Sequence, residues 1–331
     1  MTARERFIEL LSFKMPRDRL PMVEWAPYWD KTIHRWTEEG LPEMSLEQYI
    51  DYFGLDPMRS IGIPTMKPDI PGYRGHGTGF ISSMADYEKI RCYLFQEEML
   101  QDMLDTAGQL KQKHDEGQFA LKVGSRGFFW FPRTLLGIEG HLFAFYDNAE
   151  LMHKINSELS DFILKALNEL FHILKPDYMT FAEDMSYNHG SMLSREHFNE
   201  FILPYYQKVI PHVKKYGIPV LVDSDGDITE MIPWLLDAGI DGVYPLERQA
   251  GVDICMIRKK YPGLLMLGGY DKMVMSLGEN DMRSEFERIL PVMRSGGYIP
   301  SVDHQVPPGV SLQNYRIYLN LLKEYCTKAI V

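Results

Sequence analysis

The sequence has few cysteines and no long apolar segment. Its three cysteines, Cys92, Cys255 and Cys326, stand alone, with no Cys-x-x-Cys pair, which argues against a disulfide framework and against a thiolate zinc knot. No apolar run approaches the roughly 18 residues of a bilayer-spanning helix, and the N-terminus lacks an apolar secretory segment. These absences favour a reduced, cytoplasmic protein that does not act at a membrane.

Basic charge is also scarce. The 331 residues include 35 Lys and Arg against 46 Asp and Glu, which gives a net charge of −11. No basic patch is visible, so we expect no nucleic-acid partner, and the excess of acid argues against a polyanionic substrate. Hydrophobic content of 45% and charged content of 24% are globular values, and the length permits a large core.

No glycine-rich phosphate motif follows the first predicted strand, which argues against a doubly wound sheet. Short apolar runs instead alternate with helical periods, a pattern typical of parallel strands. The strands are predicted at 20–25, 119–124, 178–183, 219–223, 241–246, 264–269 and 298–302, with helices at 150–174, 197–216, 228–238 and 284–293. With nearly eight strands, the fold class is predicted as α/β, a (β/α)8 TIM barrel forming one domain over residues 1–331. Residues 40–90, rich in proline, are predicted to be an irregular excursion near the barrel mouth.

Two aspartates end one of these strands. Asp223 and Asp225 follow a β-branched run and precede a glycine, and residues i and i+2 of a strand lie on the same face. The end of the 298–302 strand is similar, because Asp303 and His304 follow it. Carboxylates held together need a cation or a protonated partner, and barrel enzymes place catalytic groups at strand carboxyl ends.

Asp223, Asp225 and His304 would form an oxygen, oxygen, nitrogen set with open coordination positions. We therefore predict a divalent metal at these three residues, most plausibly zinc. The predicted catalytic residues are Glu183, Asp225 and His304. Each carboxylate also has a structural alternative, as a helix cap, a turn residue or a salt-bridge partner, and Glu247 is interpreted in this last way.

Aromatic residues follow the second apolar strand in the loop 127–132. They are consistent with core packing or with an apolar wall for a ring-shaped or methyl-bearing ligand. The residues predicted to bind a small-molecule substrate are Glu24, Trp25, Tyr28, Arg126, Phe129, Trp130, Met185, Tyr270 and Asp303.

Several motifs resemble the uroporphyrinogen decarboxylase superfamily over nearly the full chain. The matching segments are 4–7 with 17–21, 127–135 with 143–147, Glu183-Asp184-Met185 with Leu193-Ser194, Phe198, Phe201 and Pro204-Tyr205-Tyr206, then 239–242, and Asp303-His304 with Pro308 and Asn314-Tyr315. Arg195 stands where that family has a proline. The resemblance implies a uroporphyrinogen decarboxylase-like (β/α)8 barrel but does not identify the reaction.

The superfamily contains decarboxylases and zinc-dependent methyltransferases that act with corrinoid proteins or cobamides. The methyltransferases bind zinc through His-x-Cys-Gly and a later cysteine, which match Asp223, Asp225 and His304. The decarboxylases carry an arginine-rich motif after the first strand, where this chain has Glu24 to Trp29, and their catalytic aspartate falls near Ile63. Uroporphyrinogen turnover is therefore not expected.

These comparisons favour a metal-assisted methyltransferase that moves a methyl group between a small methoxy or methylamine-type substrate and a corrinoid protein or cobamide. One alternative is a decarboxylase (lyase) acting on a carboxylated ring compound, with Asp225 or His304 as proton donor. The other is a non-catalytic tetrapyrrole- or corrinoid-binding protein. The substrate, the methyl acceptor and the oligomeric state stay open.

Overall fold

The computed structural model of the protein describes residues 1–26, 28–75 and 77–330, so Pro27, His76 and Val331 of the predicted domain lie outside it. The strands are β1 (Met58–Gly62), β2 (Ala120–Arg126), β3 (Tyr178–Ala182), β4 (Ser186–Tyr187), β5 (Gly190–Ser191), β6 (Val220–Asp223), β7 (Gly242–Tyr244), β8 (Leu265–Tyr270) and β9 (Tyr298–Val302).

The helices are α1 (Ala3–Leu11), α2 (Asp30–Glu38), α3 (Leu46–Tyr52), α4 (Met84–Ile90), α5 (Leu100–Asp115), α6 (Trp130–Leu136), α7 (Ile138–Asp147), α8 (Ala149–Ile173), α9 (Arg195–Phe201), α10 (Leu203–Lys214), α11 (Ile232–Asp237), α12 (Ile254–Lys260), α13 (Glu279–Met293) and α14 (Leu312–Lys328). In the described part of the chain, no helix has the length and apolarity needed to cross a membrane.

Seven strands form one sheet in the order β1-β2-β3-β6-β7-β8-β9. Every neighbouring pair is parallel, and helices connect successive strands, as parallel pairing requires. The sheet curls into the (β/α)8-type barrel that the sequence predicts. The short β4–β5 pair is an antiparallel hairpin outside this sheet.

The first predicted strand, residues 20–25, is not a regular strand, although it occupies the eighth position between β1 and β9. Met22 accepts the Asp56 amide at 2.7 Å on the β1 side, and Trp25 donates to Ser301 Oγ at 3.4 Å on the β9 side. Regular pairing fails because Pro21 has no amide hydrogen and because the Met22 amide is bound by the Asp56 side chain at 2.8 Å.

Residues 40–90 are not wholly an excursion, because they contain β1. This strand was missed because Met58-Arg59-Ser60-Ile61-Gly62 has no apolar run. Ser60 and Gly62 are exposed while Ile61 is buried, so the small and polar side of β1 faces the barrel interior. The interior beside β1 is consequently open.

The register of the sheet sets which residues reach the mouth together. Arg126, Ala182, Asp223 and Tyr244 are successive partners on β2, β3, β6 and β7. They lie on one rung at or near the carboxyl ends of their strands. The residues that follow this rung in sequence therefore surround the mouth of the barrel.

Candidate functional site

Three metal-competent side chains meet at the mouth. Asp225 follows β6, Glu247 follows β7 and His304 follows β9, and their ligand atoms all lie within 4.8 Å of one another. The His304 Nε2 atom is 3.6 Å from Asp225 Oδ2. All three side chains are half-buried. Because one ion could contact all of them, we call Asp225, Glu247 and His304 the mouth trio.

The turn after β6 orients two members of the trio. Gly226 has a φ of +84°, and a Cβ atom there would lie 2.7 Å from the Tyr187 backbone. This position therefore requires glycine, which lets the β4–β5 hairpin pack on the turn. Ser186 Oγ donates to the Asp225 carbonyl at 2.6 Å, and the Gly226 amide donates to Glu247 at 2.9 Å.

The segment that carries Glu247 has an unusual backbone. Leu246 is buried and has a φ of +68°, which is rare for a bulky residue and costs about 1–3 kcal/mol. At the end of β8, a Cβ atom on Gly268 would lie 2.3 Å from the Pro245 carbonyl oxygen, so glycine permits this close approach. The strained conformation lies immediately before Glu247, as is common at functional sites.

His304 packs against an aromatic wall. The Trp25 ring lies 5.8 Å from the His304 ring in a T-shaped contact and 5.3 Å from the Tyr244 ring. The Trp25 indole donates to the Val302 carbonyl at 2.9 Å, which fixes its orientation. The neighbouring Asp225 carboxylate raises the pKa of His304. Trp25 therefore forms the part of this wall that contacts His304, and its substrate-binding role stays a prediction.

A lysine balances part of the negative charge behind the trio. Lys272 Nζ lies 3.2 Å from Asp303 and 3.8 Å from Glu247. Asp303 is fully buried and accepts the Arg248 amide at 2.8 Å, and its pKa is raised by burial, against the charge of Lys272. Asp303 therefore orders the loops after β7 and β8 rather than facing a ligand.

Two further carboxyl groups lie beside the trio. Burial, followed by the charge of Asp225, raises the pKa of Asp184 to about 6. Burial, followed by the charge of Asp184, raises the pKa of Asp223 to about 7. The Asp225 amide reaches the Asp184 carboxylate at 3.4 Å. This concentration of carboxyl groups is unfavourable without a cation or bound protons.

Asp223, predicted as a metal ligand, is not part of the trio, and Glu247 takes that place. The alternation that would put Asp223 beside Asp225 holds only while the chain stays extended. Strand β6 ends at Asp223, and the turn at Gly226 redirects the residues that follow. Asp223 stays inside the barrel, where the Tyr244 hydroxyl interacts with it.

Glu183 lies at a different kind of site, which we call the β3 clamp: the Glu183 carboxylate with its four donors. The amides of Phe128, Phe129 and Trp130 donate to it at 2.9, 2.8 and 3.1 Å, and the Tyr206 hydroxyl also donates. Glu183 is fully buried, and burial raises its pKa to about 7.

The clamp leaves no carboxylate position open toward the mouth. Each oxygen accepts two hydrogen bonds, and the three amides belong to the start of α6, whose free donors the carboxylate satisfies. Gly127 has no side chain because a Cβ atom there would lie 2.0 Å from the Glu183 carboxylate. This arrangement assigns Glu183 a structural function and gives its predicted catalytic role no support.

Glu24 and Tyr28 form a buried network on the β9 side. Ser301 and Tyr315 each donate to the Glu24 carboxyl at 3.2 Å, and the hydroxyls of Tyr28 and Tyr315 are 2.7 Å apart. Burial raises the pKa of Glu24 to about 8. Tyr28 therefore supports Glu24 through Tyr315.

The other predicted substrate residues divide into two groups. Phe129, Met185 and Tyr270 are buried in the core and do not take part in the site that we propose. Trp130 and Arg126 are only partly buried. The Trp130 ring stacks with the Arg133 guanidinium, 5.1 Å away, and Arg126 donates to Thr65 at 3.3 Å.

The mouth trio fits a divalent cation. Its donors are two carboxylates and one imidazole, a combination that zinc accepts and that harder ions such as manganese also accept. A cation held by the trio would also favour the ionised forms of Asp184 and Asp223, whose pKa values are raised. None of the three cysteines belongs to this cluster, so the donor set contains no thiolate.

Sequence reasoning missed two residues here. Asp184 and Glu247 were both recognised at strand ends, but neither was assigned to the site, and a structural salt bridge was the alternative given for Glu247. Both directly follow strand regions, Asp184 after β3 and Glu247 after β7. Their position at strand carboxyl ends was the signal that could have assigned them to the site.

A comparison with protein families identifies one match. The family described as uroporphyrinogen decarboxylase (URO-D) matches residues 77–325, which is most of the chain. No curated protein sequence matches the chain.

Solved structures with similar folds are distant in sequence. A Listeria monocytogenes protein assigned as a vitamin-B12-independent methionine synthase has 13% identity and a TM-score of 0.48, over 93% of this chain and 97% of its own. An Eisenia fetida endo-1,4-beta-mannanase has 12% identity and a TM-score of 0.42, over 94% and 92%. Likenesses this weak carry no argument about function.

Proposed function

Because the chain belongs to the uroporphyrinogen decarboxylase family, we propose that it is a metal-assisted methyltransferase. Its methyl donor is a small methoxy or methylamine-type compound, and its acceptor is a cobamide or the corrinoid of a partner protein. The observation that carries this proposal is the convergence of Asp225, Glu247 and His304 within 4.8 Å at the barrel mouth.

The trio would hold the metal, and zinc is the ion that we propose. A divalent cation there would polarise the oxygen or nitrogen that bears the methyl group, where negative charge develops as the bond breaks. That atom keeps the bonding electron pair while the methyl group passes to the reduced cobalt of the corrinoid.

Residues around the trio position the substrate. The edges of Trp25 and Tyr244 pack beside His304 and offer an apolar surface to a methyl group or a flat ring. Lys272 lies 3.8 Å from Glu247, which limits the net negative charge of the site without removing its oxygen donors. The Gly226 turn and the strained Leu246 keep the donors in place before a ligand arrives.

Decarboxylation of a porphyrinogen fits this site poorly. A substrate with many carboxylates needs several cations as counter-charges. In the segment that begins at Glu24, Glu24 is buried with a raised pKa and Trp25 packs on His304. Neither residue can neutralise an acid group.

The direct test is a methyl-transfer assay on zinc-loaded protein. Chemically reduced cobalamin is mixed with methoxybenzoates and with methylamines, and methylcobalamin is followed by its visible absorbance. We expect turnover with at least one donor class, and loss of at least 100-fold in His304→Gln and Glu247→Gln. Glu169→Gln, an exposed position on α8, is the matched control and should keep full activity.

Two outcomes would contradict the proposal. One is that no donor in the panel methylates cobalamin although the protein holds zinc. The other is that the protein releases carbon dioxide from carboxylated ring compounds, with the same dependence on His304. That second result would favour the lyase alternative.

A further inference from the structure

A cavity lies beside Trp25, on the side away from the mouth trio. Its volume is about 340 Å³, and its lining includes Glu24, Trp25, Ser60 and Lys122. It lies where the barrel wall is open between residues 24–26 and β1, with α3 as its outer side. A volume of this order is enough for a small molecule.

The inner face of the barrel leaves space beside Lys122. Lys122 pairs with Ser60, and Gly124 with Gly62, on adjacent strands. A Cβ atom on Gly62 would meet nothing within 4 Å. Lys122 therefore borders open volume on its β1 side.

Among the described residues, no carboxylate oxygen lies within 4.0 Å of the Lys122 amine, so Lys122 has no ion-pair partner there. The other charged residues of the lining are already paired. Arg59 contacts Glu47 at 3.2 Å, and Asp56 contacts Arg6 and Arg19 at 3.0 and 2.5 Å.

The remaining acid of the lining is Glu24, and it adds little negative charge. Burial raises its pKa to about 8, and hydrogen bonds from Tyr315 and Ser301 oppose this only in part. At neutral pH Glu24 is therefore mostly protonated. The cavity wall consequently carries one positive charge, on Lys122, that no neighbour in the wall balances.

Asp223 is the one carboxyl group near Lys122 outside this wall. Its charge raises the pKa of Lys122, but burial lowers that pKa by more. Among the described residues, no salt bridge within 4.0 Å joins Asp223 to Lys122, so the two groups do not form a direct ion pair.

Aromatic rings connect this cavity to the mouth trio. The Lys122 amine lies 5.7 Å from the Tyr244 ring centre, Tyr244 contacts Trp25 at 5.3 Å, and Trp25 contacts His304 at 5.8 Å. This series of ring contacts joins the wall beside Lys122 to the wall beside His304.

We propose that Lys122 and this cavity bind the carboxylate of a small monoanionic substrate, so that the methyl-bearing end lies toward the mouth trio. The substrate class is then a methylated aromatic or short-chain carboxylic acid. Only the orientation of the methyl end rests on the proposed function, because the anion site itself does not depend on the metal.

A carboxylate fits this site better than a phosphate. Lysine supplies one compact charge with three donors, and the wall contains no second free cation among the described residues. A phosphate dianion would leave one charge without a partner in a partly buried site. Ser60 is exposed beside Lys122 and can donate a hydrogen bond to the second carboxylate oxygen.

The test compares 4-methoxybenzoate with its neutral analogue 4-methoxybenzamide. Binding is measured by calorimetry on full-length protein from which metal has been removed, so that the trio does not contribute. We expect the benzoate to bind at least 10-fold more tightly than the benzamide. Lys122→Met should abolish this preference and Lys122→Arg should keep most of it. Lys323→Met, at an exposed position on α14, should leave it unchanged.

A stability measurement separates binding from a structural role of Lys122. If the lysine chiefly neutralises Asp223, Lys122→Met will destabilise the fold, because it leaves a partly buried carboxyl without a partner. If the lysine is held for a ligand, removing an unpaired partly buried charge leaves the urea midpoint unchanged or raises it. We expect the second result.

Four outcomes would overturn the inference: equal affinity for the benzoate and the benzamide, no benzoate binding at 10 mM, wild-type benzoate affinity in Lys122→Met, or a lowered urea midpoint in Lys122→Met. Inorganic phosphate binding more tightly than the benzoate would also contradict it. None of these results affects zinc binding by the trio, so this inference and the proposed function can fail separately.

Discussion

The β3 clamp and the mouth trio both follow barrel strands, yet they use carboxylates in opposite ways. In the clamp, Glu183 is fully buried and every oxygen position accepts hydrogen bonds from fixed donors. In the trio, Asp225 and Glu247 are half-buried and approach each other and His304.

The difference separates structural from functional carboxylates at strand ends. A buried carboxylate whose hydrogen-bonding capacity is filled stabilises the chain around it. Carboxylates that converge with open positions contribute little to the stability of the fold, and a bound cation would offset their mutual repulsion. Substitutions in the β3 clamp should therefore lower the free energy of unfolding, whereas substitutions in the mouth trio should lower the affinity for a ligand.

The largest expected effect on stability is that of Glu183→Ala. Three amides at the start of α6 and the Tyr206 hydroxyl would lose their acceptor inside the core, and a cavity would form. We expect a loss of about 4 kcal/mol in the free energy of unfolding, measured by urea denaturation. Glu247→Ala should cost about 1 kcal/mol or less. Equal losses in the free energy of unfolding for the two variants would contradict the distinction between a structural clamp and a functional trio.

Gly127→Ala tests the same clamp by displacing the Glu183 carboxylate instead of removing it. A Cβ atom there would lie 2.0 Å from the Glu183 carboxylate, so the carboxylate must leave its donors. We expect destabilisation of about 3 kcal/mol. Gly140→Ala, in α7, is the matched control, because its Cβ atom would meet only Leu136 at 3.9 Å. That variant should gain up to about 1 kcal/mol through helix propensity, and a similar loss in both would contradict the clamp.

Glu24→Gln tests a buried carboxyl with adaptable partners. Hydroxyl groups can accept as well as donate, so Ser301 and Tyr315 can serve an amide. The folded-state pKa of about 8 exceeds the ordinary 4.5, so between these values the folded protein binds more protons and wild-type stability falls as pH rises. The variant should therefore gain about 1–3 kcal/mol over wild type between pH 5 and pH 8. A constant difference across that range would contradict the raised pKa.

The sequence predicted the barrel because its parallel strands are buried on both faces and appear as apolar runs. Strands β2, β3 and β6 to β9 lie where the predicted runs lie, and α8 (Ala149–Ile173) matches the predicted helix 150–174. Strand β1 lacks this signature because its inner face, with Ser60 and Gly62, borders open space. The absence of an apolar run there is itself a consequence of the cavity.

The site was predicted only in part for a geometric reason. His304 and Asp225 follow strands directly, and strand order brings their ends together. The exchange of Asp223 for Glu247 depends on the Gly226 turn and on Leu246 with its φ of +68°. Backbone conformations of this kind are set by packing against Tyr187 and Gly269, which no local pattern in the sequence reveals.

Asp225, Glu247 and His304 together should bind one divalent ion. The most direct measurement is the zinc content of protein that has been loaded with zinc and desalted, determined by mass spectrometry of the metal. We predict near-stoichiometric zinc in wild type and in Asp223→Asn, and at least 10-fold weaker retention in Glu247→Gln and His304→Gln, with the fold intact. Wild type without zinc, or release by Asp223→Asn with retention in Glu247→Gln, would contradict it.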